Sequence, residues 1–202
     1  MNELVEIFQK YSLDKLINKY DRIYFDLLKN KKDEIKNVLE IGIGTIEKDS
    51  KSTMFFYKEY DAPSYTFGNS LRAWRDYLPN AQIIGIDVDK STMFKEERIK
   101  TFCSSSFDEK NMNKILSKLE KFDLIIDDGL HTMEANLNTL QIAFPYLKDG
   151  GKYVIEDVNQ YDDWFIDDLL KDERFLKIVK GCKYYIHDGF EKDFTRVIVI
   201  NK

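Results

Sequence analysis

The chain has little of what would mark a disulfide scaffold or a linker-like tract: 202 residues include only 2 cysteines, 2 histidines, 3 prolines and 9 glycines. Cys103 and Cys182 cannot complete a zinc set and need not pair in a chain of this size, so they read as ordinary buried thiols. A basic surplus is also missing. With 31 Lys and Arg against 36 Asp and Glu, the formal charge is −5; no basic field is left to hold a phosphate backbone, which argues against nucleic acid as a partner. No apolar run approaches the length of a membrane span. The start, Met1-Asn2-Glu3-Leu4-Val5-Glu6, carries acids where a signal peptide needs a basic region, so the expectation is a soluble, cytoplasmic protein.

What is present suits one globular domain: 43% of residues are hydrophobic and 33% charged, with no low-complexity tract. Apolar residues at helical spacing (Leu4, Ile7, Phe8, Tyr11, then Leu16, Ile17, Tyr20, Tyr24, Leu27, Leu28) predict two amphipathic helices. Residues 1–36 therefore read as an N-terminal helical arm and 37–202 as the main domain. Strands are expected at Val38–Ile41, Gln82–Asp87, Ile99–Cys103, Phe122–Asp127, Lys152–Glu156, Lys183–His187 and Arg196–Ile200. Helices are expected at Ser70–Tyr77, Glu109–Lys121, Thr132–Leu147 and Gln160–Lys171. This alternation gives an α/β, Rossmann-like, doubly wound, mostly parallel seven-stranded sheet. Its last two strands, joined through Asp188-Gly189, form an antiparallel hairpin, and His187 reads as a hairpin histidine. Lys148-Asp149-Gly150-Gly151-Lys152 reads as a helix stop of Schellman type. The segment 45–67 lacks a clear period and is long for a loop, placed where it can cover a ligand.

Two acidic clusters follow fully apolar runs. Phe122-Asp123-Leu124-Ile125-Ile126 leads into Asp127-Asp128-Gly129-Leu130-His131, and Tyr153-Val154-Ile155 leads into Glu156-Asp157. Such runs read as buried parallel strands, so both clusters fall at the carboxyl edge of one sheet, where open α/β sheets bind ligands. Carboxylates converging there repel one another unless a positive group lies between them, and a hard divalent cation is the economical candidate. Asp127 reads as a cofactor-facing or supporting group, since adjacent strand residues point oppositely.

A third strand end, Glu40-Ile41-Gly42-Ile43-Gly44, brings Gly42 and Gly44 where backbone can approach a nucleotide-type ligand; the third glycine of a dinucleotide fingerprint is absent. Asp87 ends the next strand, where a carboxylate can accept both hydroxyls of a ribose. Gly68-Asn69-Ser70-Leu71-Arg72 opens a helix whose free N–H groups suit a carboxylate, with Ser70 either a ligand or an N-cap. Ser104-Ser105-Ser106-Phe107 follows the third strand, and Ser105 lies where an adenine could be held. The aromatic set Tyr57, Tyr60, Tyr65, Phe67, Trp74, Tyr161 and Trp164 reads mostly as core, with some rings free to stack on sugars.

Taken together, Val38–Gly44, Gly68–Trp74, Ile84–Asp87, Ile126–His131 and Val154–Asp157 resemble class I S-adenosylmethionine methyltransferases, and within them the magnesium-dependent sugar O-methyltransferases of macrocin and mycinamicin type. The resemblance implies S-adenosylmethionine as cofactor, bound near Glu40, Gly42, Gly44, Ser70, Asp87, Ser105 and Asp127. It implies Mg2+ or Mn2+ on Asp128, Glu156 and Asp157, with His131 as general base beside Asp128. The acceptor would be a sugar hydroxyl on a small molecule or glycan, such as a surface polysaccharide, glycolipid or glycosylated natural product. A catechol-like or other vicinal diol is an alternative acceptor. A nicotinamide-dependent sugar oxidoreductase is disfavoured by the missing third glycine and the lack of a Tyr-x-x-x-Lys dyad, and a noncatalytic cofactor-binding subunit by the intact acids. So short a domain is compatible with a homo-oligomer.

Overall fold

The computed structural model describes residues 2–60, 62–158, 163–188 and 196–202. Apolar runs form the centre of the sheet because strands covered on both faces need no polar side. β1 (Asn37–Ile41), β2 (Gln82–Asp87), β4 (Ile99–Cys103), β5 (Phe122–Asp127) and β6 (Leu147–Val158) pair in parallel. β7 (Lys183–Asp188) and β8 (Arg196–Asn201) are antiparallel to each other, and β8 is antiparallel to β6. A two-residue edge strand, β3 (Lys95–Glu96), completes the order β3-β4-β2-β1-β5-β6-β8-β7. The sheet is thus mixed α/β as expected, with eight strands among the described residues rather than seven. The chain runs outward from β1 on one side and restarts at β5 on the other, so the switch point lies between β1 and β5.

Alternation along the strands feeds two cores. Val38, Ile83, Leu124 and Val154 face one core, and Leu39, Ile84, Ile125 and Ile155 face the other. Three helices precede the sheet, α1 (Glu3–Lys10), α2 (Asp14–Ile17) and α3 (Tyr20–Leu28), one more than the periodicity suggests. They are packed onto the sheet: Leu4, Phe8, Tyr20 and Tyr24 share the first core with Val38 and Trp74. Trp74, on α5 (Asn69–Tyr77), meets Phe8 and Tyr24 edge to face, at centroid distances of 5.3 and 4.7 Å. These contacts fix the short α2 over the carboxyl ends of the central strands.

Inside 45–67 the structure forms α4 (Phe55–Tyr60). α6 (Glu109–Leu116) and α7 (Met133–Ala143) are shorter than expected, and both carry side-chain N-caps, Asp108 and Thr132. α7 ends in a 3₁₀ turn at Phe144–Tyr146, and β6 already begins at Leu147. The Gly150-Gly151 pair is therefore a bend within an extended segment, not a Schellman stop; Gly150 has φ +81°. α8 (Asp163–Lys171) and α9 (Glu173–Ile178) cover the second core, with Phe175 buried. The expected start at Gln160, Tyr161, and the turn at Gly189 lie outside the described residues, as do the side chains of Tyr60 and Trp164. His187 stands within β7, paired with Val197. Cys103 and Cys182 are free and half-buried rather than fully buried. Among the described residues no helix is long and apolar enough to cross a membrane.

Candidate functional site

A cleft of about 650 Å³ opens at the carboxyl ends of β1, β2, β4 and β5, a volume ordinary for a small-molecule site. Its wall includes Gly42, Gly44, Ser70, Asp87, Ser105 and Asp128. Gly42 sits at φ +98°, and a Cβ there would lie 1.8 Å from the Asp128 carbonyl oxygen, so no other residue fits. Asp128 in turn donates its N–H to the Ile41 carbonyl at 2.8 Å, stitching the two strand ends together. Asp87 accepts from Ile43 N at 2.7 Å, Gly44 N at 3.2 Å and Asp89 N at 2.8 Å, holding the glycine loop against β2. From the 45–67 segment, Lys51, Ser52, Thr53, Met54 and Tyr65 line the cleft. The glycine-walled cavity with a carboxylate and serine hydroxyls fits a nucleoside-type cofactor.

Two residues expected to touch a cofactor are not part of that wall. Glu40 is fully buried; its Oε2 accepts from Ser70 Oγ at 2.9 Å, and its Oε1 lies 3.4 Å from Lys15 Nζ. Asp127 is buried on the α7 side, where it accepts from Asn136 Nδ2 at 3.1 Å. They sit on opposite faces of the sheet, Glu40 toward Ser70 and Lys15 and Asp127 toward α7. Ser70 does line the cleft, but it is not a cap: Gly68 takes that position, and the Ser70 hydroxyl bonds Glu40.

At the β1–β5 end of the cleft lies the acidic cluster. One ligand atom each from Asp128, His131 and Asp157 falls within 4.8 Å of the others. His131 Nε2 is 3.8 Å from Asp128 Oδ1 and 4.0 Å from Asp157 Oδ2, and its Nδ1 is buried without a hydrogen-bond partner among the described residues. His131 and Asp157 both adopt left-handed backbone, φ +52° and +50°, a conformation that costs energy for non-glycine residues and clusters at functional sites. Burial, then the charge of Asp128, pushes the Asp157 carboxyl above its usual range, with His131 and Tyr20 opposing. A hard cation between the two carboxylates would relieve that repulsion, so the donor set fits a divalent ion.

Three side chains from the N-terminal helices reach this cluster, none of them among the expected site residues. Lys15 on α2 is 2% exposed; its Nζ donates to Asp128 Oδ2 at 2.8 Å and to Glu156 Oε2. On α3, Tyr24 donates to Glu156 Oε1 and Tyr20 to Asp157 Oδ1. Burial works against the Lys15 ammonium, but Asp128, Glu156 and Glu40 outweigh it and hold its pKa well above the ordinary value. Burial likewise opposes ionisation of Asp128, yet Lys15 and His131 bring its carboxyl below the usual range. Glu156, expected beside Asp128 and Asp157 as a ligand, has both oxygens engaged by Lys15 and Tyr24 instead. Asp14 lines the cleft mouth next to Lys15, its carboxyl pushed up to about 6 by burial. Tyr20 and Tyr24, four residues apart, did carry a signal: on one helix face they place two hydroxyls in line.

A family profile described as a methyltransferase domain matches residues 68–197. Mycinamicin VI 2''-O-methyltransferase of Micromonospora griseorubida is 32% identical over 139 residues, 69% of this chain and 30% of that protein. Demethylmacrocin O-methyltransferase of Streptomyces fradiae is 31% identical over 139 residues, with the same 69% and 30% coverage. The matched region thus spans under a third of these relatives' length. Among solved structures, the MycE methyltransferase of the mycinamycin biosynthetic pathway, in complex with Mg, SAH and mycinamycin VI, superimposes with a TM-score of 0.72 at 25% identity. That match covers 100% of this chain and 55% of the other.

Proposed function

The chain belongs to the methyltransferase-domain family, and on that premise we propose that it transfers a methyl group from S-adenosylmethionine to a sugar hydroxyl with the help of a divalent cation. The observation that carries this reading is the meeting of Asp128, His131 and Asp157 at the end of a glycine-walled cleft. The relatives named for sugar O-methylation, and the Mg-containing structural neighbour, support it.

When bound, S-adenosylmethionine supplies a methyl group on a good leaving group, and a divalent ion supplies charge that makes a coordinated hydroxyl more acidic. The protein's part is to hold and to deprotonate. Gly42, Gly44, Asp87, Ser70 and Ser105 would cradle the cofactor, and Asp128 and Asp157 would hold the ion through the oxygens that face His131. His131 Nε2, not within hydrogen-bonding distance of either carboxylate, is available to take the proton of an acceptor hydroxyl, a contribution of about 10²–10⁴-fold. Orienting the acceptor in line with the methyl group supplies much of the remaining rate.

The test combines calorimetric titration with S-adenosylhomocysteine and a methyl-transfer assay on a panel of glycosides. Binding should persist in chelator and in His131→Ala, while transfer should fall by about 10²–10⁴-fold in His131→Ala and be lost in chelator. Transfer that survives chelator would remove the cation from the reaction, and failure to bind S-adenosylhomocysteine would remove the reading altogether.

A further inference from the structure

Consecutive residues of α2 take different tasks. Lys15 reaches down to Asp128, bonding it at 2.8 Å, whereas Asp14 lines the cleft together with Leu13, Leu130 and His131. No side chain among the described residues forms a hydrogen bond or ion pair with Asp14, and Asp14 does not cap its own helix. Its charge is nevertheless costly there: burial opposes it most, Lys15 eases it, and Asp128 and Asp157 repel it. Tyr65 completes the surroundings. Burial first, and then the charge of Asp14, keep its phenol protonated, and the phenol oxygen stands 3.1 Å from where a Cβ on Gly44 would lie. A carboxylate taken out of water is expensive until it is hydrogen-bonded, and in the free chain no side-chain donor meets that need at Asp14.

We propose that Asp14 is a specificity-determining residue whose carboxylate accepts from a second hydroxyl of the acceptor sugar, one that is not methylated, and so favours neutral polyols over acidic sugars. The inference rests on the acceptor class of the proposed function. A neutral pyranose brings several O–H donors and no charge, so it satisfies Asp14 without adding to the repulsion from Asp128 and Asp157. A uronate or a sugar phosphate would set one more anion against those carboxylates. Position separates Asp14 from the nucleoside end of the cleft. The acids whose charges reach it are Asp128 and Asp157, beside His131, whereas Asp87 is tied to the N–H groups of Ile43, Gly44 and Asp89. The carboxylate is also held in place before an acceptor arrives, because the Lys15 bond and the packing of Phe8 and Tyr24 on Trp74 fix α2. A site arranged in this way rejects an analogue lacking the hydroxyl, since its own polar group is then left unpaired.

The experiment follows methyl transfer from S-adenosylmethionine by the full chain to the methyl glycoside of a neutral hexose or deoxyhexose that reacts fastest, to its monodeoxy analogues and to the corresponding uronic acid. With wild type, one monodeoxy analogue should lose about 10–100-fold in kcat/KM, the worth of a hydrogen bond to a charged group. Asp14→Ala should lose a similar factor with the parent glycoside, mainly through KM, and should be indifferent to that same deoxygenation. Asp14→Asn, which keeps a carbonyl acceptor without the charge, should recover part of the loss and use the uronic acid better than wild type does. S-adenosylhomocysteine, titrated calorimetrically, should bind both variants as it binds wild type. Losses from Asp14→Ala and from deoxygenation that multiply at every ring position overturn the proposal, as does weakened S-adenosylhomocysteine binding, which assigns Asp14 to the cofactor. If Asp14→Ala does not fold, Asp14→Asn with the deoxy series and the uronic acid decides alone. Wild-type protein that binds S-adenosylhomocysteine but methylates no glycoside overturns the acceptor reading and this proposal with it; glycoside methylation whose deoxy profile Asp14→Ala leaves unaltered overturns this proposal only.

Discussion

Lys15 bridges three acidic side chains and Arg174 two, yet they sit in opposite surroundings. Lys15, 2% exposed, joins Asp128 to Glu156 across the carboxyl edge of the sheet. Arg174, 42% exposed on α9, joins Glu134 at 2.6 Å and Asp172 at 2.9 Å on the outer surface. Bond lengths do not separate the two networks; the medium does. Around Arg174 water competes for every group and salt screens what remains. Lys15 itself is almost fully buried, so water competes little for it and each charge depends more on its partner.

The sharpest way to test that contrast is to delete the inner cation. Lys15→Met in chelator should lower the unfolding free energy by about 3–5 kcal/mol, the usual cost of orphaning one side of a buried ion pair, read from denaturant melts. Adding Glu156→Gln should restore part of the loss, because a neutral amide tolerates burial where an unpaired carboxylate does not. A loss no larger than that of an exposed pair would erase the distinction between the two regions.

The inner region should also give the fold a pH dependence. Burial pushes the Glu40 carboxyl from 4.5 up to about 7, with Lys15 pulling the other way, and burial raises Asp127 from 3.8 to about 7. Both folded-state values exceed the unfolded ones, so between them the native protein binds more protons than the unfolded chain, and stability falls as pH rises. The contribution is complete below about pH 4 and is gone once pH passes about 7, with about 3–4 kcal/mol for each group. Glu40→Gln and Asp127→Asn should each flatten thermal melting temperatures plotted from pH 4.5 to 8. An unchanged slope in both would show that neither carboxyl is shifted by burial.

The strands were readable because an apolar, β-branched run covered on both faces has no other stable place, and Val38–Ile41, Phe122–Asp127 and the core of β6 follow that rule. Asp128, His131 and Asp157 were readable for the same reason: each lies just past the end of such a run. The start of β6 was not, because Asp149-Gly150-Gly151 carries the local chemistry of a helix end and is extended by backbone hydrogen bonds to the distant Lys202. Lys15 was invisible in a different way. A lysine on a short amphipathic helix reads as a solvent-facing residue, and its partners lie 113 and 141 positions away. Glu40 shows the converse, an acid in an apolar strand that read as a cofactor contact and serves as a counter-charge beneath Ser70 and Lys15. Pattern finds the carboxyl edge of a sheet; which oxygen faces which cation is decided by packing between distant segments.

The smallest expected effect belongs to the outer network, and it separates charge from geometry. Asp172 caps α9, its side chain accepting from the Arg174 backbone N–H at 2.7 Å, while the Arg174 guanidinium bonds the same carboxylate. Arg174→Ala removes the guanidinium but leaves the backbone N–H and the cap intact, so its melting curve should superimpose on that of wild type. Asp172→Ala removes the cap as well, and a lost capping side chain typically costs about 1 kcal/mol. Added salt should leave the Asp172→Ala deficit in place, because a hydrogen bond to a helix N-terminus survives screening that a surface ion pair does not. If Arg174→Ala instead matched the loss in Lys15→Met, exposure would not be what distinguishes the two cations, and the difference would have to come from helix α9 itself.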